Sequence, residues 1–207
     1  MHEDDIWRHI DEQRADLADV LDTLTPSQWS TPSLCEGWTV RDVAAHLTHA
    51  NAPWGQMAWQ ALRSGFRFNA MMRRVAAQDA RPTGEIVDAL RAMVGQRRRP
   101  PGTAVVDPLL DALIHGQDVA RPLGIPRAMP VDAATAVAHR LWGMSFPLNP
   151  RKRFAGIRFA ATDVDFVAGS GDVAAGPIGD VVLVLAGRRA GLAGLTGEGA
   201  ALADARE

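Results

Sequence analysis

Apolar residues return at helical intervals over the first two thirds of the chain, then give way to short alternating runs. Ile6, Ile10, Leu17, Val20, Leu21 and Leu24 predict a first helix over 4–24. Thr25-Pro26 reads as a cap followed by proline in a first turn, so a short helical turn carries Trp29. Ser30–Trp38 holds proline and glycine and reads as a loop. Thr39, with Asp42 three residues on, resembles a capping box that opens a helix from Val40 to about Leu62. Val43, His46, Ala50 and Met57 run along one margin of its apolar face, which places His46 inward or half-inward and His49 toward solvent. Pro53 bends or interrupts this helix. Phe66–Gln78 reads as a third helix whose Met71, Met72 and Val75 fill core. Thr83 caps a fourth, with Ile86, Val87, Leu90, Met93 and Val94 on one face and Pro100-Pro101-Gly102 as its stop. Asp107–Gly124 forms a fifth, and Val131–Met144 a sixth packed on the bundle.

From about Pro147 the texture changes. Residues 156–163 and 164–169 alternate and suggest strands, with a turn at Gly169–Asp172. The apolar run in Pro177–Gly187 fits helix or buried strand, and Pro177 and Asp180 favour helix. Leu192–Leu195 is a short strand candidate, and the alanine-rich end frays. The expectation is a mainly α chain, with residues 1–146 a helical bundle and 147–207 a small α/β lobe. The glycine-rich stretch lacks the strand–GxGxxG–helix context of a nucleotide site.

Candidate chemistry centres on the fifth helix, DPLLDALIHGQDVARPLG. Asp111, His115 and Asp118 recur at i, i+4 and i+7 and share one stripe. A carboxylate and an imidazole one turn apart can share a divalent cation. Periodicity alone argues otherwise: Leu109, Leu110, Leu113 and Ile114 define a different apolar stripe, which sends Asp111 and His115 to water. A metal role therefore requires this helix to be buried on two sides. Asp118 either orients the His115 imidazole, as carboxylates behind ligands do, or caps the helix or pairs with Arg121. Cys35 reads as a packing residue.

Composition narrows the function classes. The chain has 207 residues, 47% hydrophobic and 22% charged, with a net charge of −2. That balance gives no electrostatic reason to expect nucleic acid. One cysteine excludes an intramolecular disulfide. The start, MHEDDIWRHIDEQ, is acidic where a signal peptide is basic and then apolar, and no run of about 18 apolar residues occurs. The expectation is a cytoplasmic protein with no membrane or nucleic-acid partner.

The segments WSTPSLCEGWTVRDVAAHL (29–47) and DALIHGQDVARPLG (111–124) resemble the mycothiol-dependent maleylpyruvate isomerase family of the DinB/YfiT-like superfamily. The tail resembles it more loosely, in ATDVDFVAGSG, GPIGDVVLVLAGR and LTGEG. The resemblance implies a four-helix bundle that holds one divalent metal, usually zinc. It implies His46, Asp111 and His115 as ligands, with a fourth position open as in catalytic sites. The family pattern has glutamate where this chain has Asp111, which leaves open direct ligation or ligation through water. Arg188 falls where the family's lobe carries a basic residue that helps hold the thiol cofactor; the alternative is a surface charge closing the helix after Leu185. The implied activity is metal-dependent activation of mycothiol, or a similar small thiol, for addition to a small electrophile, giving isomerisation or S-transfer. The alternative is a non-catalytic metal- or ligand-binding stress protein of the same fold. Superfamily members often pair as homodimers.

Overall fold

The computed structural model describes residues 1–49, 79–99, 102–146 and 148–206. The expected helix beyond Thr48, its bend at Pro53, the helix over Phe66–Gln78 and the Pro100-Pro101 stop lie outside these. The chain divides into two compact units, His2–Arg127 and Ala128–Glu207, the second also including Met1.

The first unit is helical. Helix α1 (Glu3–Asp22) buries Trp7, Ile10, Leu17 and Leu21 along one side, as the sequence spacing requires. Helix α2 (Pro26–Trp29) is the short turn, closed by a Thr25/Gln28 capping box, and it buries Trp29. Helix α3 (Val40–Thr48) starts at the expected capping box, with Thr39 Oγ1 accepting from the Asp42 N–H and Asp42 accepting from the Thr39 N–H at 2.9 Å. Helices α4 (Thr83–Arg91) and α5 (Asp107–Ala120) complete a set in which α1 and α3 each pack against both α4 and α5. That is the four-helix arrangement the resemblance implied. The Thr83 cap differs from expectation, since Thr83 lies inside the first turn of α4 behind Pro82; α5 begins behind Val106. In each case the cap position carries no side-chain hydrogen bond. Helix α4 also stops at Arg91, ahead of the prolines.

His49 is drawn away from the solvent that periodicity assigned it. Its Nε2 lies 3.1 Å from Asp79 Oδ2. Asp79 also pairs with Arg81, and Arg81 Nη2 donates to Thr48 Oγ1 at 2.7 Å. This network ties the approach to α4 onto the end of α3. Hydrogen bonds from Arg81 hold the Asp79 carboxyl down at about 2 against an ordinary 3.8. A depressed carboxyl stabilises the fold above its unfolded pKa and ceases to do so as pH falls through the folded one. Because Arg81 is a third exposed, the contribution is about 1–2 kcal/mol after screening. Asp79→Asn is therefore expected to lose that much stability at pH 7 and to match wild type near pH 2, read from denaturant unfolding at both pH values.

The second unit holds helix α6 (Val131–Gly143), the short α7 (Pro150–Arg153), strands β1 (Ile157–Ala161), β2 (Val167–Gly169) and β3 (Asp172–Gly176), helix α8 (Ile178–Leu185) and helix α9 (Glu198–Asp204). The sheet order is β2-β1-β3. Phe159 sits opposite Ala168 across the antiparallel pair and opposite Ala174 across the parallel one. Gly171 makes the turn into β3 at φ +114°, where a Cβ would lie 2.1 Å from the Gly156 carbonyl. Phe154 and Phe159 meet edge to face at 5.2 Å, with Trp142 of α6 against Phe159 at 6.4 Å. Helix α8 is apolar apart from Asp180 and buries Ile178 and Val181–Leu185, so its sequence run is a helix and not a strand.

Three expectations are corrected here. The units divide at 127/128 rather than 146/147, because α6 packs on α8 of the second unit. Leu192–Leu195 is not a strand: Arg189–Gly194 forms a 3-10 turn, and only Thr196 bridges to Ala175. The alanine-rich end is not frayed but forms α9, packed on β3. No described helix is long and apolar enough to cross a membrane.

Candidate metal centre

Helix α5 meets the condition that its sequence left open. Leu109, Ala112, Leu113, Ile114, Gly116, Gln117, Asp118, Val119 and Ala120 are all buried, so the helix is enclosed well beyond its leucine stripe. Asp111 keeps a third of its side-chain surface and His115 only 12%. From α3, the capping box and the inward Val40, Val43, Ala44 and Leu47 fix the rotation that brings His46 to the inner margin at 14% exposure.

The three side chains named by the resemblance converge. Asp111 Oδ1 lies 3.4 Å from His115 Nε2 and 3.8 Å from His46 Nε2. One donor atom from each of the three lies within 4.8 Å of the others. These separations exceed a normal hydrogen bond. The shorter matches the edge of a tetrahedron of N and O donors, about 3.4 Å for bonds near 2.1 Å, and the longer slightly exceeds it. Electrostatics favours a cation there. Burial opposes the charge of Asp111, but the facing His115 and His46 imidazoles outweigh it and hold the carboxyl well below its usual range. Burial likewise opposes protonation of His115, yet Asp111, Asp118 and Cys35 hold its pKa well above 6.5. The carboxylates favour positive charge here, as a proton on His115 or as a cation that takes its place.

A second triad shares His115. Asp118, fully buried, places Oδ2 2.8 Å from His115 Nδ1, and the Cys35 thiol donates to the same oxygen at 3.0 Å. Cys35 Sγ lies 3.8 Å from His115 Nδ1. Two of these three separations are hydrogen-bond lengths, so the set reads as a hydrogen-bonded support for the imidazole and not as a second cation cage. Sequence reasoning gave Cys35 only a packing role. The signal it lacked is the closure of the 30–38 loop: Ser33 N–H donates to the Trp38 carbonyl at 2.8 Å, and Val40 N–H to the Thr31 carbonyl at 2.9 Å. Leu34 N–H then donates to the Asp118 carbonyl at 3.2 Å, which lays the loop on α5. Trp38 arrives with it, edge-on to His46 at 5.1 Å and stacked on His115 at 6.4 Å. Arg188 belongs to the C-terminal unit, where its Nη1 donates to the Ala186 carbonyl at 2.7 Å.

Gly116 shows how closely α5 is approached by the residues that follow it. A Cβ there would fall 2.1 Å from Arg127 Nη1, and Arg127 is pinned by Asp16 at 2.7 Å and by the Gln13 carbonyl at 3.1 Å. Gly116→Ala is expected to destabilise the chain by about 1–3 kcal/mol through this clash, measured by urea unfolding.

Comparison with known proteins places the fold. Two solved structures share the fold: a mycothiol-dependent maleylpyruvate isomerase, 15% identical with a TM-score of 0.60 over 96% of this chain and 93% of that one, and a histidine-to-alanine mutant of the mycothiol-dependent maleylpyruvate isomerase, 14% identical with the same TM-score and coverage. No curated protein matches the sequence. Residues 10–101, which include the Cys35–Trp38 loop and His46, match the family model of the mycothiol maleylpyruvate isomerase N-terminal domain.

Proposed function

We propose that the chain is a metal-dependent enzyme that uses mycothiol, or a similar small thiol, to isomerise a small electrophile of the maleylpyruvate type. The observation that carries the reading is the convergence of His46, Asp111 and His115 at cation-edge spacing, on a fold shared with a mycothiol-dependent maleylpyruvate isomerase. His46, Asp111 and His115 would hold one divalent cation, and two imidazoles with a carboxylate suit zinc. Bound there, the cation supplies Lewis acidity that lowers the pKa of a thiol, so that thiolate is present near neutral pH.

The chain's other residues serve that chemistry by orientation and exclusion. Asp118 accepts from His115 Nδ1, which fixes the tautomer with its lone pair on Nε2. The Cys35 thiol holds the same Asp118 oxygen in place. Trp38, only 9% exposed, covers one side of both imidazoles and keeps water from it. We assign Arg188, by the family resemblance, to holding the thiol cosubstrate. The reaction class is reversible thiol addition: the C–S bond forms and the former double bond turns as a single bond. Departure of the thiolate then restores the double bond in the other geometry.

Asp118→Asn is expected to weaken zinc binding 10–100-fold, while Cys35→Ser, which keeps a donor, stays close to wild type. Competition with a chromophoric chelator measures both. The function itself is tested by following maleylpyruvate with mycothiol, before and after chelation and zinc restoration. Turnover that disappears and returns with zinc supports the enzyme. Stoichiometric zinc with no thiol-dependent turnover of maleylpyruvate or chlorodinitrobenzene makes the chain a binding protein instead.

A further inference from the structure

A small cavity borders the candidate metal centre, walled by Leu17, Leu47, Leu90 and Met93 and reaching Asp111. Arg14 and Gln13 of α1 line it too. Arg14 is 5% exposed, and among the described residues no carboxylate hydrogen-bonds to it. Its described hydrogen bonds all come from Nη1, to the Met93 carbonyl at 3.0 Å and the Gln96 carbonyl at 3.4 Å. A buried guanidinium held only by two neutral carbonyls is costly, because its charge has lost water without gaining an anion. Burial lowers its pKa accordingly, and only the more distant Asp11 and Asp111 act against that. Gln13 is 7% exposed, and its Oε1 has no hydrogen-bond partner. Oxygen and nitrogen of that amide exchange places by a half turn, so Gln13 can present either an acceptor or a donor to the cavity.

Charge balance says what would complete the site. A divalent cation on His46, Asp111 and His115 has Asp111 and, behind His115, the buried Asp118 to balance it, whereas Arg14 adds a positive charge beside an apolar wall with no carboxylate of its own. An anion is the partner Arg14 lacks, and the planar fork of arginine fits a carboxylate. We propose that Arg14, with Gln13, binds a carboxylate of the ligand whose reacting part lies at the cation. The inference rests on the metal-dependent reading of the preceding subsection, and it adds a position that selects acidic ligands over neutral ones.

The test is isothermal titration of the full chain loaded with zinc, using succinate and its neutral isostere succinamide. Succinate is expected to bind and succinamide not to. Arg14→Gln, with zinc content unchanged, is expected to weaken succinate binding roughly tenfold or more. Gln13→Leu is expected to weaken it by less and to preserve the helical circular dichroism, so it carries the test should Arg14→Gln fail to fold. Equal binding of succinate and succinamide overturns the proposal, as does undiminished succinate binding in a folded variant that retains zinc; Arg14 would then only cap the end of α4. Wild-type chain that binds no zinc but still loses succinate on Arg14→Gln upholds the carboxylate site and sinks the metal reading alone.

Discussion

His46→Ala removes tight divalent-cation binding and leaves the helical fold standing. His46 is one of three donors, and its Nε2 makes no hydrogen-bond-length contact with Asp111, at 3.8 Å. Its loss therefore orphans no buried partner, unlike loss of His115, which would strip Asp118 of a 2.8 Å contact. Residues that merely support a ligand are worth 10–100-fold in metal affinity, so loss of a ligand itself is expected to exceed 100-fold. The consequence is readable in stability. Zinc at 100 times its dissociation constant stabilises the wild-type fold by about 2.7 kcal/mol, and the variant forgoes that increment. Thermal unfolding with and without zinc should show a gap in wild type and none in His46→Ala, while the cation-free curves nearly coincide.

Leu113→Ala has the opposite signature. Leu113 is on the same helix as Asp111 and His115, two residues from each, and it is fully buried. Deleting three carbons there costs about 3–5 kcal/mol from lost transfer energy and the cavity left behind. For a chain of this size that lowers the melting temperature by roughly 10 °C. The donors keep their spacing, so zinc affinity of the folded protein is expected to stay within a few-fold of wild type, measured by chelator competition well below the transition. The two variants separate what α5 does for the core from what it does for the centre.

Much of this was legible in the residues, and for identifiable reasons. The Thr39–Asp42 capping box and the Val40, Val43, Ala44, Leu47 spacing set the rotation of α3, and with it the inward turn of His46. The Asp111–His115 pair followed from i, i+4 geometry, although periodicity alone faced it to water. What turned it inward is burial of α5 on sides its own leucine stripe does not predict, which is a property of neighbours. Cys35 and Trp38 were read as loop and packing because their role depends on backbone closure between Thr31 and Val40 and on contact with a helix some eighty residues away. Nothing local to Arg14 says that Met93 and Gln96 fold over it. In the second unit, Leu192–Leu195 carried strand-like residues, but Gly191 and Gly194 sit hard against Asp180 and allow only the tight turn. His49 was misplaced because Asp79, thirty residues on, supplies the partner that holds it in.

X-ray absorption at the zinc edge of the loaded chain, before and after addition of a small thiol, addresses the ligand set directly. The account predicts one zinc per chain bound by nitrogen and oxygen alone, with outer-shell scattering from two imidazoles. A single sulfur at about 2.3 Å should appear only once thiol is added. A sulfur already present in the thiol-free protein would place the ion on Cys35, His115 and Asp118 instead. Zinc retained with an unchanged spectrum in His46→Ala would contradict the account outright.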